Sequence, residues 1–527
     1  MTLIPDTRRG VLVRSAIAAV IVIVFTATTT AVAGLLQFKQ LATDIGGTPA
    51  IPDAQVAIPN PGNPQTILII GSDHRAGTPF SKANTDTMIL VRLDASSSTI
   101  NVISIPRDLE VQIPHLGGSY TARLNSAYSV GGPGLLMRVL QRQVFHGLKV
   151  NHLVDVNFGS FQALVNALGC VYTDVDHRYY NDTRLTDYSS IDIQPGYQRL
   201  CGTDPIRGAL AFVRFRHTDS DIVRSARQQD FIRWAKDQYG VSNLISNRDS
   251  LLKIFGRYTQ TDSNLRSVDG LINLFNLVAF SAGHTIKQVR FPAILPSPTF
   301  TPPVANRFTP QSPSYVTADP AAEQRRFDEF MTPTTAAPRV PSAVPAGAAP
   351  AAGAGSAPRR SVPSASAPAL TADAGEGRSQ VVSLGQIGMA VYFPRRIATG
   401  SSYCSSPMRN CPVEIPSPGS YPRGYTIHDQ GGNPHTAYRM TLVKNAALGQ
   451  YYAVQGMTWR TPPILANPNQ TRTVGGKRLM LYLNGHHLTL VAWRAPPGVY
   501  WISNTLTDDL TNQEMLGIAA SLTRGRT

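Results

Sequence analysis

The clearest pattern in the chain is a series of short apolar runs separated by polar turns. ILII (67–70), TMILVRL (87–93) and INVISI (100–105) are strand-length and rich in β-branched residues, and they predict three buried strands. Phe158, Phe161, Leu164, Val165 and Leu168 recur at helical spacing, and Gly169 follows as a stop signal. GLINLFNLVAF (270–280) is apolar on most faces and predicts a buried helix or part of a lipid-facing groove. Alternating strands and helices over 66–296 predict a three-layer α/β/α sandwich. Residues 297–378 lose this periodicity and are dominated by Pro, Ala, Ser and Gly, the composition of a linker that buries no core. Strand patterns return in MAVYF, YRMTLV, KRLMLYL, HLTLVAW and GVYWIS. Asn484-Gly485 marks a hairpin, and Thr511 with Glu514 marks a capping box before a last helix. Residues 379–527 are therefore expected to form a small α+β domain. Its adjacent His486 and His487 read as surface residues, and it shows no catalytic constellation.

The N-terminus changes this picture. Residues 15–38 carry no charge and are long enough to cross about 30 Å of hydrocarbon. Arg8, Arg9 and Arg14 precede the run and Lys39 follows it, which predicts residues 1–14 in the cytoplasm and the remainder outside. Ala31-Val32-Ala33 also has the form of a signal-peptidase site, but the run is long for a signal peptide, which favours an uncleaved anchor. Residues 39–65 would be a stalk. The formal charge of +15 favours anionic partners, and the absence of a basic cluster interleaved with aromatics argues against nucleic acid. The four cysteines fall into two sequence-near pairs, Cys170/Cys201 and Cys404/Cys411, as two extracytoplasmic disulfides would require. The first pair brackets a Tyr- and Asp-rich insertion expected to lie near the site.

Candidate chemistry gathers at strand ends: Asp73-His74-Arg75, Asn84-Thr85-Asp86-Thr87, Pro106-Arg107-Asp108, and the segment AFVRFRHTDSDIVRSARQQDF (211–231). Arg214 and Arg216 share a side if the backbone is extended, and Arg224, Arg227 and Gln228 share a face on a helix that Asp221 would cap. Converging arginines repel one another unless an anion lies between them, and the guanidinium fork suits phosphate oxygens. Asp73 and Asp86 would repel the same anion unless a hard divalent cation bridged them. The set therefore reads as a metal-assisted phosphoryl-transfer site without a Walker motif.

These stretches (ILIIGSDHR, TDTMILVRLD, VISIPRDLEV, ARLNSAYSVGG, VDVNFGSFQALVNALGCV and ALAFVRFRHTDSD with the following R..RQQDF) resemble the LytR-CpsA-Psr family in order and spacing over about 65–295. The resemblance implies a membrane-anchored phosphotransferase with a hydrophobic tunnel for a prenyl chain. Such an enzyme moves a glycopolymer from a polyprenyl-pyrophosphate carrier onto peptidoglycan as a phosphodiester. It implies Asp73 and Asp86 as ligands of Mg²⁺ (or Mn²⁺), and Arg107, Arg123, Arg214, Arg216, Arg224 and Gln228 as the pyrophosphate clamp. Arg227 joins that group by its place on the same helix, and Arg75 is a candidate to replace a family arginine where this chain has Asn84. Arg107, Arg214, Arg216 and Asp86 are the expected catalytic residues. Asp86, Asp108 and Asp219 are candidate proton acceptors, and His74 has no family role. Two competing readings are a prenyl-pyrophosphate phosphohydrolase and a non-catalytic lipid- or wall-binding protein.

Overall fold

The structure, a computed structural model, describes residues 51, 56–58, 60, 62–74, 83–181, 190–215, 219–246, 259–281, 283–294, 315–334, 369–404, 422–474 and 476–525. The expected anchor, 15–38, lies outside them. Among the described residues no helix is long and apolar enough to cross a membrane.

The three predicted strands are β1 (Gln65–Ser72), β2 (Thr85–Leu93) and β3 (Thr99–Ser104), joined in an antiparallel meander. The hairpin β4 (Glu110–His115) and β5 (Gly118–Arg123) follows, then helix α1 (Leu124–Val139), strand β6 (His152–Asn157) and helix α2 (Phe158–Ala167). Strands β7 (Val171–Val175) and β8 (Gly196–Leu200) pair with each other, and α3 (Ala209–Arg214) and α4 (Asp221–Ser246) come next. Strand β9 (Thr259–Thr261), helix α5 (Val268–Ser281) and strand β10 (Thr285–Val289) complete this half. The main sheet runs β9-β6-β1-β2-β3-β10 and is mixed, with β1/β6 and β3/β10 parallel.

Strand alternation sends Leu68, Ile70, Met88 and Leu90 into one core with Leu136 and Met137 of α1. Ile67, Ile89 and Val102 go into the opposite core with Leu277 of α5 and Ile232 of α4. Helices thus cover both faces, as the sequence predicts.

The stretch read as a linker contains more than a linker. Helix α6 (Pro320–Met331) is capped by Asp319, whose side chain accepts Ala322 N, and starts with Pro at its first turn. It drives Phe327 and Phe330 into the core around α1, where Phe327 stacks on Phe145 at 5.1 Å. The Pro/Ala-rich composition on either side hides this short amphipathic turn. Helix α7 (Ala374–Leu384) likewise begins inside the expected linker and packs on the C-terminal half.

The C-terminal half is mostly sheet. Its strands follow the order 402–403, 434–445, 450–457, 498–503, 487–495, 477–484 and 470–474, all antiparallel. Helices α7 and α8 (Asn512–Ser521) cover one face, and the Thr511–Glu514 capping box forms. In the predicted hairpin Asn484 pairs with His487, so Gly485 (φ 58°) and His486 make the turn, one residue later than expected.

The other face of this sheet does not meet solvent. Trp501, Val499, Ala492 and Met457 pack against Tyr172 of β7 and Tyr197 of β8. Gly196 permits this approach: a Cβ there would sit 2.7 Å from the Tyr425 hydroxyl, which accepts Tyr197 N at 2.7 Å. At the centre Arg439, almost fully buried, pairs with Asp174 at 2.6 Å and donates to Asp176 O at 2.9 Å. Gln455 Nε2 also donates to Asp174. The two halves are joined by a packed, polar-pinned seam.

Cys170 and Cys201 are joined at the open end of the β7–β8 pair. The bracketed insertion carries much of that seam, a role its composition does not announce. Cys404 is disulfide-bonded, and Cys411 lies outside the described residues.

Candidate active site

The site assembles where β1 ends, β2 begins and β3 leaves the sheet. The β1–β2 register shifts between Gly71 and Ser72, and a Cβ on Gly71 would fall 2.9 Å from Thr87 Cβ. That close approach lets Asp73 turn back across the strand ends. Its N donates to Asn84 O at 3.1 Å, and its carboxylate accepts Asn84 N. Asp86 lies one turn of the pleat further on. Its carboxylate is ion-paired with Arg107 and lies 3.5 Å from Arg214 Nε.

Arg107 stands in the loop after β3. Asn125 N donates to Arg107 O, and Val316 N to Asp108 O, so the loop is held from both sides. Asp108 Oδ1 lies 3.6 Å from Arg107 Nε and 3.5 Å from Arg123 Nε. Burial, then the neighbouring Asp221 carboxylate, push the Asp108 pKa up, with the arginines opposing. Arg224 is almost completely buried on α4 and pairs with Asp221 at 2.8 Å. Burial lowers its pKa, and it senses Arg107, Asp86 and Asp108. Gln228, one turn along, donates to Thr87 Oγ1 at 2.8 Å and to Val213 O at 3.0 Å, tying α4 to β2.

Among the described residues Arg107, Arg123, Arg214 and Arg224 therefore converge with three carboxylates, Asp86, Asp108 and Asp221. Arg214 and Arg123 keep 41% and 35% of their side chains exposed, so the cluster opens to solvent on their side. Arg214 also lies over the Phe158 ring at 4.0 Å, which fixes the height of its guanidinium.

Several expectations are corrected. Arg214 is the last residue of helix α3 and not part of an extended pair, because Ala209–Arg214 closes a helical turn. Arg227 does not face the cluster. It is wholly buried, donating to Tyr179 Oη, Phe212 O and Phe215 O and ion-paired with Asp219. On a helix Arg227 and Gln228 are about 100° apart, enough to send one into the core and the other toward β2. Asp219 is thereby occupied away from the site. Asp221 does not cap α4: Ser220 does, its Oγ accepting Val223 N at 3.4 Å. Arg75 and Arg216 lie outside the described residues.

One group escaped sequence reasoning. Asp155, within β6 and opposite Ile70 of β1, is buried close enough to Asp73 to sense its charge. It accepts from Ser72 Oγ at 2.6 Å and Tyr128 Oη at 2.5 Å, and burial raises its pKa. The carboxylate secures the residue before Asp73, and the signal was an Asp inside the apolar strand HLVDVN. His74 is buried beside it, with Gln260 at 3.5 Å.

The residues expected to hold a cation are Asp73, whose carboxylate accepts Asn84 N, and Asp86, whose carboxylate meets Arg107 and Arg214. Among the described residues no three His, Cys, Asp or Glu side chains are placed so that they could hold a metal ion together. A metal would therefore draw most of its ligands from phosphate and water, a set that fits Mg²⁺ or Mn²⁺ and not a closed protein-only site.

The LytR_cpsA_psr family model matches residues 35–297. An uncharacterized protein of Staphylococcus aureus is 31% identical over 213 residues, covering 39% of this chain and 50% of that protein. The polyisoprenyl-teichoic acid–peptidoglycan teichoic acid transferases TagV and TagT of Bacillus subtilis are each 27% identical. The TagV match covers 43% of this chain and 55% of TagV; the TagT match covers 39% and 62%. The chain thus spans a half to three-fifths of the length of these curated relatives. Among solved structures, a LytR-Csp2A-Psr enzyme from Actinomyces oris has a TM-score of 0.39 at 22% identity, covering 54% of this chain and 96% of that one. TagT bound to LIIa-WTA has a TM-score of 0.38 at 22% identity, covering 53% and 93%. The segment matched by the family model contains every residue of the cluster, and by it the chain belongs to the LytR_cpsA_psr family.

Proposed function

We propose that the protein is a membrane-anchored phosphotransferase. It would move a glycopolymer from a polyprenyl-pyrophosphate carrier to a peptidoglycan hydroxyl, through a phosphodiester. The observation that carries this reading is the convergence of Arg107, Arg214 and Arg224 around Asp86 at the strand ends, with Arg123 beside them on Asp108. The activity for which the TagV and TagT relatives are named supports the class of donor and acceptor.

Arg107 and Arg214, now held by Asp86, would turn to the pyrophosphate as it binds, with Arg224 and Arg123 supplying fixed positive potential. Arg216 belongs to this clamp by its place in the motif. The acceptor oxygen attacks the phosphorus next to the glycan, and the bond from that phosphorus to the bridging oxygen breaks. Polyprenyl phosphate leaves with the electron pair. The hydroxyl proton passes to a carboxylate, for which Asp86 and Asp108 are both in the cluster. Mg²⁺ or Mn²⁺ held by Asp73 and Asp86 would neutralise charge on the leaving phosphate. The uncharged run 15–38 would hold the N-terminus in the cytoplasm and this site outside.

Purified full-length protein with a lipid-pyrophosphate glycan and peptidoglycan tests the reading. Transfer should require a divalent cation, and Asp73→Asn should abolish it while binding of the lipid persists. Undiminished transfer by Asp73→Asn would overturn the metal assignment.

A further inference from the structure

The hairpin β4–β5 rises directly from the cluster: Arg107 and Asp108 precede it and Arg123 ends it. Its two edges are treated differently. Along β4 the outward amides are closed. Glu110 N donates to Val316 O at 2.9 Å. Gln112 N donates to Gln143 Oε1 at 2.8 Å, and Gln143 Nε2 returns a bond to Gln112 O at 2.6 Å, so one side-chain amide imitates a neighbouring strand. At Pro114 there is no N–H to satisfy.

The β5 edge is open. Glu110 and Gln112 point outward, so their register partners Arg123 and Thr121 occupy non-hydrogen-bonded positions and also point outward, as does Ser119 opposite Pro114. Among the described residues no backbone group pairs with these three. Residues 118–121 are exposed to solvent, with Tyr120 at 41% and Leu116 at the tip fully exposed. The strand has none of the usual edge protection: no proline, no lysine and no bulge within Gly118–Arg123.

We propose that this edge docks an extended peptide, adding it as a third strand antiparallel or parallel to β5. Two features select the occupant. The edge is continuous with the cluster, ending at Arg123, whose guanidinium is held by Asp108. That end is cationic, so a peptide carrying carboxylates is drawn in with its acidic end toward the clamp. On the proposed function, which this inference rests on, the acceptor is a glycan bearing short acidic peptides. The edge would hold such a peptide while the sugar hydroxyl reaches the phosphorus. Main-chain bonds of this kind give affinity without demanding particular side chains.

Thr121→Pro tests it, since it removes one outward N–H and leaves the inward bonds of Tyr120 and Ala122 to β4 in place; Ser119→Pro is the second variant. Hydrogen exchange on the full-length protein with a muramyl-peptide glycan should slow the Ser119, Thr121 and Arg123 amides, and the same glycan stripped of peptide should not. In transfer assays wild type should prefer the peptide-bearing acceptor, and each variant should lose about fivefold of that preference, the worth of one hydrogen bond. Transfer to stripped glycan should be unchanged. Unslowed amides, or an unchanged preference in both variants, overturn the proposal, as does a finding that the edge instead pairs two copies of the chain. Slowed amides without any transfer would leave the docking standing and refute the transferase reading alone.

Discussion

Two of the arginine–carboxylate clusters among the described residues, one at the seam and one at the strand ends, differ in burial and in how fully their charges are matched. At the seam Arg439 is almost completely buried, and its donors meet Asp174, Asp176 O and Thr441 Oγ1. The partner carboxylate is further saturated by Gln455. The pair's charge is matched from within the fold. At the strand ends Arg107, Arg123, Arg214 and Arg224 share three carboxylates, and two of the guanidiniums reach solvent. Several of those ion pairs are at 3.5 Å or beyond, too long for good hydrogen bonds. A saturated buried pair holds the two halves together, whereas the half-open cluster keeps guanidinium surface facing solvent, which the proposed function reads as room for an anion.

The largest effect expected from breaking this contrast is at the open cluster. Arg107→Ala should lower transfer by about 10³-fold, the scale of a transition-state arginine, and leave the melting temperature nearly unchanged because the ion pair it breaks is partly exposed. Equal losses in rate and stability would show that Arg107 belongs with Arg439. The seam should behave oppositely. Asp174→Ala leaves the Arg439 guanidinium buried without its counter-ion and should cost about 3–5 kcal/mol in denaturant unfolding, with transfer per folded molecule retained. Removing the Cys170–Cys201 link, which closes a 31-residue separation at the base of the seam hairpin, should cost about 3–4 kcal/mol in the chain-entropy model. Cys170→Ser/Cys201→Ser measured against wild type under non-reducing conditions gives that number.

The seam should also show a pH dependence. Asp508 faces Arg290 at 3.4 Å and Asn484, with Asp230 and Arg233 beyond. Burial raises its pKa to about 7. A carboxyl that holds its proton more tightly when folded contributes less stability as pH rises. Unfolding free energy should therefore fall between about pH 4, the unfolded carboxylate range, and pH 7. Asp508→Asn should flatten that slope, read from denaturant midpoints across the range.

How much of this was legible beforehand follows from which physics wrote it. The strands of the main sheet are apolar runs with turn residues at both ends, so local pattern sufficed. Asp73, Asp86 and Arg107 stood out in the sequence because they are charges at strand ends, and the structure brings Asp86 and Arg107 together. Arg227 misled because sequence spacing cannot tell which side of a helix meets a core, and Tyr179 and Asp219 settle that only in three dimensions. The seam was invisible for a similar reason. Tyr172, Tyr197 and Asp174 find their partners more than 200 residues away, in a sheet whose second face reads from sequence as ordinary alternation. Helix α6 was hidden by its surroundings, although Asp319-Pro320 and the Phe327/Phe330 pair are an ordinary start and face.

The central claim is that the open cluster joins a phosphoryl-linked glycan to peptidoglycan. It is tested most directly by analysing the products when the full-length protein meets a polyprenyl-pyrophosphate glycan and peptidoglycan. Mass spectrometry should find the glycan on a muramic-acid hydroxyl through one phosphodiester, with polyprenyl monophosphate released in equal amount. Polyprenyl phosphate released alongside free sugar phosphate, with nothing attached to the wall polymer, would contradict it.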